Sequence, residues 1–233
     1  MAKSDFNYVF KRNEKKYLLT LTQYEELMLK LKPYMQVDNY GLSLISNIYY
    51  DTKNFDLIRR STEKPVYKEK LRLRSYGVPE NDSTVFIEIK KKYNGTVYKR
   101  RISLSLKDAV DYLNNGIKPK GDSQILREID YFISFHKPEA KVYLSYKRIA
   151  MFGISDNRLR ITFDSDILSR DYDLDLSKGP YGKSLLPENC RLMEIKIAGA
   201  MPLWLVKALD ELEIKPISFS KYGTVYKNQQ QKV

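Results

Sequence analysis

The chain has 233 residues and 27.4 kDa, with 41 Lys and Arg against 29 Asp and Glu, a formal net charge of +12 and a pI of 9.4. Hydrophobic residues make up 42% and mean hydropathy is -0.51, enough for a buried core, while no stretch reaches the roughly 20 apolar residues of a membrane span. One cysteine, Cys190, excludes an internal disulfide; one histidine, His136, excludes a His-rich metal site; and the absence of any glycine-rich nucleotide loop means that phosphate would have to be gripped by side chains.

A first strand is expected over Tyr8–Leu19, with Arg12, Glu14 and Lys16 on one face. Thr22-Gln23-Tyr24-Glu25 has the form of a capping box and predicts a helix with an apolar stripe of Tyr24, Leu27, Met28 and Leu31, ending near Pro33. Ser46–Asp51 reads as a strand, followed by a helical turn from Phe55 to Arg59. Strands follow at Val66–Arg74, Thr84–Lys91 and Val97–Leu104, the last two joined through Asn94-Gly95, which tolerates the positive φ of a tight hairpin. Helices fit Leu106–Leu113 and Ser123–Phe135.

The second half opens with a strand over Lys141–Met151, then a turn at Asp156-Asn157 into Arg158–Phe163. Ser165 to Asn189 reads as a long polar loop. Its Asp171, Asp173 and Asp175 have the spacing of calcium ligands, but the glycine and distal Glu of such a loop are missing, so a solvated loop or edge strand is expected. A strand at Arg191–Ile197 is followed by a helix opened by Pro202 and striped by Leu203, Val206, Leu209 and Leu212. The tail from Pro216 to Lys227 suggests a last short strand or ordered segment around Phe219-Ser220-Lys221-Tyr222.

Side chains alternate across a strand, so Lys68, Lys70, Arg72 and Arg74 share one face while Leu71 and Leu73 take the other. The same alternation recurs at Glu88 and Lys90, at Arg158 and Arg160, and at Glu194 and Lys196. A solvated polar face is the ordinary explanation for one such strand. Here the polar positions are mostly Arg and Lys, whose mutual repulsion an anion would relieve. The fold class expected is α+β: about eight antiparallel strands with helices packed on the outside, in one domain over residues 1–233. Closure into a barrel would turn the basic faces inward, although pattern alone leaves an open sheet with one basic face as the alternative.

An ordered set of segments carries a resemblance. It comprises Lys16-Tyr17, Ile48-Tyr49-Tyr50-Asp51, Lys70-Leu71-Arg72-Leu73-Arg74-Ser75-Tyr76-Gly77, Phe86-Ile87-Glu88-Ile89-Lys90, Tyr146-Lys147-Arg148, Leu159-Arg160-Ile161-Thr162-Phe163-Asp164, Leu192-Met193-Glu194-Ile195-Lys196 and Phe219-Ser220-Lys221-Tyr222. Together they resemble the VTC domain, the polyphosphate polymerase domain of the vacuolar transporter chaperone, which belongs with the CYTH phosphatases to the triphosphate tunnel metalloenzymes. The resemblance implies a closed β-barrel tunnel and transfer of the γ-phosphate of ATP to a growing polyphosphate chain with a divalent metal, Mn2+ or Mg2+. It implies that Lys16, Arg72, Arg74, Lys90, Arg148 and Arg160 hold the triphosphate. Tyr146 and Lys221 would contact phosphate, and Glu194 would bind the metal. Lys70, Glu88, Lys99, Arg101 and Lys196 share the lining as further substrate contacts, with Glu14 as a second metal ligand. An internal ion pair with Lys196 or a facing Arg is the competing role for Glu194.

Two departures qualify the resemblance. Arg12 stands where the related phosphatases have the first Glu of a Glu-x-Glu-x-Lys strand, which leans away from two-metal hydrolysis. Ser218 stands where the family usually has a second tail lysine. A triphosphatase on the same scaffold and a non-catalytic polyphosphate-binding module are the alternatives. Nucleic acid is a weaker candidate, because the 19 tyrosines are spread along the chain instead of forming a stacking row. A cytoplasmic location is expected, and membrane translocation would need a separate membrane subunit.

Overall fold

The computed structural model describes residues 13–63, 65–94 and 96–231. Arg12 and the rest of the expected first strand before residue 13 lie outside this set, as does Gly95 of the expected hairpin. In chain order the elements are β1 (Asn13–Leu19), α1 (Leu21–Leu31), β2 (Met35–Asp51), α2 (Asp56–Thr62), β3 (Tyr67–Tyr76), β4 (Thr84–Tyr93), β5 (Thr96–Ser105), α3 (Leu106–Asn115), α4 (Gln124–His136), β6 (Glu139–Gly153) and β7 (Arg160–Arg170). They continue with β8 (Lys183–Ser184), β9 (Arg191–Ile197), α5 (Leu203–Glu211), β10 (Pro216–Ile217) and α6 (Lys221–Gln230).

All the strand pairs are antiparallel, and the ladder runs β10-β1-β9-β7-β6-β2-β3-β4-β5, with β8 on β7. Among the described residues no ladder joins β5 back to β1 or β10, so the expected closure by hydrogen bonds is absent. The sheet nevertheless curls. Lys90 on β4 lies within electrostatic reach of Glu14 on β1 and Glu194 on β9. Six strand steps separate β4 from β1 along the ladder, which in a flat sheet would be about 29 Å. Only a strongly coiled sheet brings those side chains together.

The outer face carries two hydrophobic clusters. In one, Leu71, Leu73, Val85, Ile87 and Ile89 pack under Ala109 and Tyr112 of α3 and Ile129 and Phe132 of α4. In the other, Tyr17, Leu19, Ile161, Phe163, Met193 and Ile195 are covered by Leu27 and Leu31 of α1 and Leu205 and Leu209 of α5. Burying such side chains contributes roughly 1.5–3 kcal/mol each, which commits the basic face of the same strands to the concave side. A third cluster lies on that concave side. Ile45, Tyr49, Val142, Leu144 and Leu192 meet Tyr222 and Val225 of α6. The expectation that every helix packs outside is therefore corrected: α6 covers an apolar end of the inner face.

Several boundaries also shift. The capping box is Thr20 with Gln23, each side chain bonded to the other's backbone N–H at 3.2 and 3.0 Å, so α1 starts earlier than Thr22–Glu25 suggested. β2 begins at Met35, because its polar first half, broken by a register shift between Val37 and Leu42, hides the strand pattern. β7 starts at Arg160; Arg158 sits in the preceding turn and pairs with Asp156 at 2.8 Å, off the lining. Part of the expected loop from Ser165 is the second half of β7, with β8 pairing to it. The apolar face of α5 is Leu205, Ala208 and Leu209, leaving Leu203 and Val206 exposed. The tail holds a short strand, β10, and the ordered segment expected around Phe219–Tyr222 is the start of α6, which Ser220 caps by accepting from the Gly223 N–H.

Candidate active site

The concave lining can be followed rung by rung from the ladder. On β3, β4 and β5, Arg72 faces Glu88, which faces Arg101, and Lys70 faces Lys90, which faces Lys99. Toward β2 and β6, Arg74 pairs with Asn47, whose next partner is Leu144, while Tyr146 and Arg148 continue the same face. On β7 and β9, Asp164, Thr162 and Arg160 pair with Leu192, Glu194 and Lys196. On β1, Lys16 pairs with Glu194 and Glu14 with Lys196. Of the residues assigned from sequence, all but Lys221 therefore lie on this one face. Lys221 reaches it as the first residue of α6, with its ammonium 4.6 Å from the Tyr146 ring centroid.

Two buried carboxylates organise the arginines. Glu88, 1% exposed, accepts from Arg72 Nε at 2.8 Å, lies 2.6 Å from Lys99 Nζ and 3.7 Å from Arg74 Nε. Asp164, also 1% exposed, takes a bidentate pair from Arg148 at 2.6 and 2.8 Å and the Lys221 ammonium at 2.5 Å. Arg74 is further held by Asn47 Oδ1 at 2.9 Å and donates to the Tyr146 hydroxyl at 3.2 Å. A guanidinium held at one edge by a carboxylate keeps its remaining N–H donors aimed into the cavity, the geometry suited to bidentate phosphate contact. Arg101 stacks over Phe86 at 4.7 Å, and Arg160 is exposed beside Lys196, so these two lie toward the rim.

The charge state of the lining follows from burial and crowding. Burial pushes the Lys70 ammonium down to about 8, with Lys68, Lys90 and Lys16 lowering it further against an opposing pull from Tyr49. Burial likewise lowers Lys99 to about 8, despite Glu88. Burial would raise Glu88, yet Arg72, Arg74 and Lys99 bring its carboxyl down to about 2. Burial would also raise the Tyr49 phenol, but Arg72, Lys70 and Arg74 bring it to about 8, and its hydroxyl accepts from Arg72 Nη1 at 3.2 Å. Lys90 is solvent-exposed and still lowered chiefly by desolvation. Exposure combined with crowding is what a side chain in a narrow water-filled hollow experiences.

Glu14, Lys16, Glu194 and Lys196 form a checkerboard on β1 and β9. Within each strand the ion pairs are 3.1 Å (Glu14–Lys16) and 2.9 Å (Glu194–Lys196). Burial would raise Glu194, but Lys196 and Lys16 hold it well below the usual carboxylate range, and Glu14 stands diagonally across the β1–β9 ladder from it. The competing role expected for Glu194, an ion pair with Lys196, is thus present in the structure. Two adjacent carboxylates fit a hard divalent cation only if phosphate and water oxygens complete the shell. Among the described residues no group of three or more His, Cys, Asp or Glu is placed to hold a metal by itself.

Sequence reasoning assigned no role to Asp164, Asn47 and Tyr49. The alternation Asn47, Tyr49, Asp51 within Ser46–Asp51 was the available signal for the latter two, and Asp164 continues the parity of Arg160 and Thr162. The calcium-like spacing at Asp171, Asp173 and Asp175 has another explanation. The buried Arg170 guanidinium donates to the carbonyls of Asp173, Asp175, Gly179 and Tyr181 and lies 3.4 Å from the Tyr143 ring centroid. A side-chain cation takes the carbonyls around which the loop folds.

A coiled antiparallel sheet with most of its helices on the convex side presents a concave face of Arg, Lys and paired carboxylates. Residues 11–228 match the VTC domain model, and the chain belongs to that family. Solved structures share the fold. One from Bacillus halodurans, named as a candidate adenylate cyclase, has 16% identity and a TM-score of 0.55 over 90% of this chain and 95% of its own. One from Hippeastrum, named as a candidate adenylyl cyclase with a dominant triphosphatase activity, has 16% identity and a TM-score of 0.55 over 92% and 95%. These likenesses show that the fold is shared. No curated protein sequence matches the chain.

Proposed function

We propose that this chain is a phosphotransferase, moving the γ-phosphate of ATP or another triphosphate onto a polyphosphate chain within the concave face. The observation that carries the reading is the oriented arginine set: Arg72, Arg74 and Arg148 are each fixed by a buried acceptor and all face one hollow. Phosphoryl transfer asks little of a protein beyond positioning and neutralising charge, so such a cage suffices for most of the work. Lys16, Lys70 and Lys90 add charge, and Tyr146 and Lys221 contact phosphate from the α6 side. A divalent cation, Mn2+ or Mg2+, held by Glu194 and Glu14, would neutralise charge on the phosphate oxygens. The described part of residues 1–233 acts as one unit in this reading, and the single half-buried Cys190 accords with a reducing cytoplasm. No helix among the described residues is long and apolar enough to cross a membrane.

A triphosphatase is the second reading, favoured by Glu14 and Glu194 sharing one face of β1 and β9, where both could serve a metal while water takes the place of a polymer acceptor. Purified protein incubated with ATP and Mn2+ separates the two. Chains of increasing length on a polyphosphate-stained gel, absent for Arg74→Ala, are the expected result. Free phosphate without chains selects the triphosphatase, and tight polyphosphate binding without turnover leaves a binding module.

A further inference from the structure

The cations of the lining are not equivalent. Arg72 and Arg74 share Glu88, and Arg148 and Lys221 share Asp164, so each of these four cations has a carboxylate beside it and the triphosphate-facing set is partly neutralised within the protein. The end of the β3–β4 ladder differs. Lys70 stands directly opposite Lys90, and the next rung on the same face sets Lys68 directly opposite Lys92. Two successive like-charge cross-strand pairs destabilise a sheet unless something anionic lies over them. The acid between them in sequence, Glu69, is on the other face, bonded to His136 at 2.7 Å and to the Tyr67 hydroxyl at 2.8 Å. Among the described residues none of Lys70, Lys90 and Lys92 makes an ion pair with an acid, and Lys68 donates only to the Ser61 carbonyl, at 3.1 Å. Lys16 bears on the group from across the cavity, adding to the repulsion felt by Lys68, Lys70 and Lys90. The cluster therefore converges on one side of the hollow, where isolated surface lysines would splay into water.

Lys70 and Lys90 adjoin the Arg72–Glu88 rung, whereas Lys68 and Lys92 lie a further two residues along the strands, about 7 Å beyond. A triphosphate seated on the arginines would not need that outer rung, but a longer chain running along the ladder would pass over it. We infer that Lys68 and Lys92 form a separate subsite that grips polyphosphate beyond its terminal three phosphates, making the protein select long chains over tripolyphosphate. The inference rests on the polyphosphate reading above and adds to it a determinant of chain length.

The test compares binding of inorganic tripolyphosphate and of long-chain polyphosphate to the full chain and to the double variant Lys68→Ala, Lys92→Ala. The variant is expected to keep its tripolyphosphate affinity within about twofold while its long-chain affinity falls about tenfold, the loss of two partly exposed ion contacts. Retained tripolyphosphate binding also shows that the variant is folded. Unchanged long-chain affinity, or an equal loss for both ligands, overturns the subsite. So does a single-stranded RNA that binds as tightly as long polyphosphate and depends on the same two lysines, which would make the ladder a nucleic-acid contact. If the unaltered protein binds neither phosphate ligand, the polyphosphate reading itself falls.

Discussion

Lys70, Lys99 and Tyr49 lie close to the point where each would change charge, and all three face the same hollow. The sign of the consequence is set. In the free protein both lysine ammoniums and the phenol have been lowered to about 8, so above that pH the cavity loses two positive charges and gains a negative one. A bound polyanion favours the ammonium forms and raises their pKa, so affinity is full below about 8 and declines as pH rises through it. Calorimetric titration of tripolyphosphate in buffers of different ionisation enthalpy should show proton uptake near pH 8.5, and an affinity that stays flat to pH 9 would remove these groups from the binding site. Glu194 makes a separate prediction. Glu194→Gln keeps the shape of the lining and removes one carboxylate charge beside Lys16 and Lys196. Tripolyphosphate affinity without metal should hold or rise, while the metal-dependent part of turnover should fall by about 100-fold, in the range lost with an electrostatic catalytic group. Unchanged metal dependence would return Glu194 to the role of a simple ion-pair partner.

At the scale of elements, α6 connects the chain's end to the lining. Asp51, fully buried at the end of β2, accepts from the backbone N–H groups of Thr52, Leu57 and Ile58 at 2.8–3.0 Å and from the Tyr222 hydroxyl at 2.8 Å. One carboxylate thereby holds the start of α2 and the first turn of α6 together. Tyr222 in turn stacks on Tyr49 at 4.8 Å, and the Lys16 ammonium donates to the Phe219 carbonyl at 3.1 Å. Asp51→Asn replaces an acceptor oxygen with a donor facing this set, and the change should cost about 2–4 kcal/mol. Hydrogen exchange should then quicken in α6 while α4, on the convex side, keeps its protection. Equal loss in both helices would mean that Asp51 supports the whole fold and does not specifically latch α6. With α6 released, Lys221 loses its place beside Asp164, so triphosphate affinity should fall along with α6 protection.

The molecule as a whole carries a net +12, with a large share of that charge gathered on one concave surface. Such an arrangement is self-repulsive, and any anion that occupies it binds the folded state in preference to the unfolded chain. Tripolyphosphate at 100 times its dissociation constant should add about 2.7 kcal/mol. For a chain of this size that corresponds to a rise in Tm of roughly 5–10 °C. Moderate salt should blunt the effect by screening the exposed part of the lining. A Tm indifferent to tripolyphosphate and sensitive only to ionic strength would indicate a surface of general charge without a built cavity. The coiling that joins β4 to β1 is what distinguishes these cases, because it lets Lys90 and Glu194 act on one ligand from opposite ends of the strand order.

Much of this was legible in the residues. The period-two alternation from Lys68 to Arg74, and again around Glu88 and Glu194, determined which side chains share the concave face, because a strand with one buried side has no other register open to it. The antiparallel pairing of β4 with β5 and the placing of helices near Leu106–Leu113 and Ser123–Phe135 were equally local facts. Three features were settled only by tertiary structure. α6 sits on the inner face because Val142, Leu144 and Leu192 make part of that face apolar, and a segment as polar as Lys221–Gln230 does not announce a buried side. Arg170 is held by carbonyls from four positions of the loop that follows it, an arrangement that no local pattern in the sequence marks. Among the described residues the ladder ends unjoined at β5 and β10, since whether a coiled sheet closes by hydrogen bonds depends on strand stagger summed over the entire sheet, which no single segment encodes. Local alternation decides which face a residue takes; only the summed curvature of ten strands decides which faces meet.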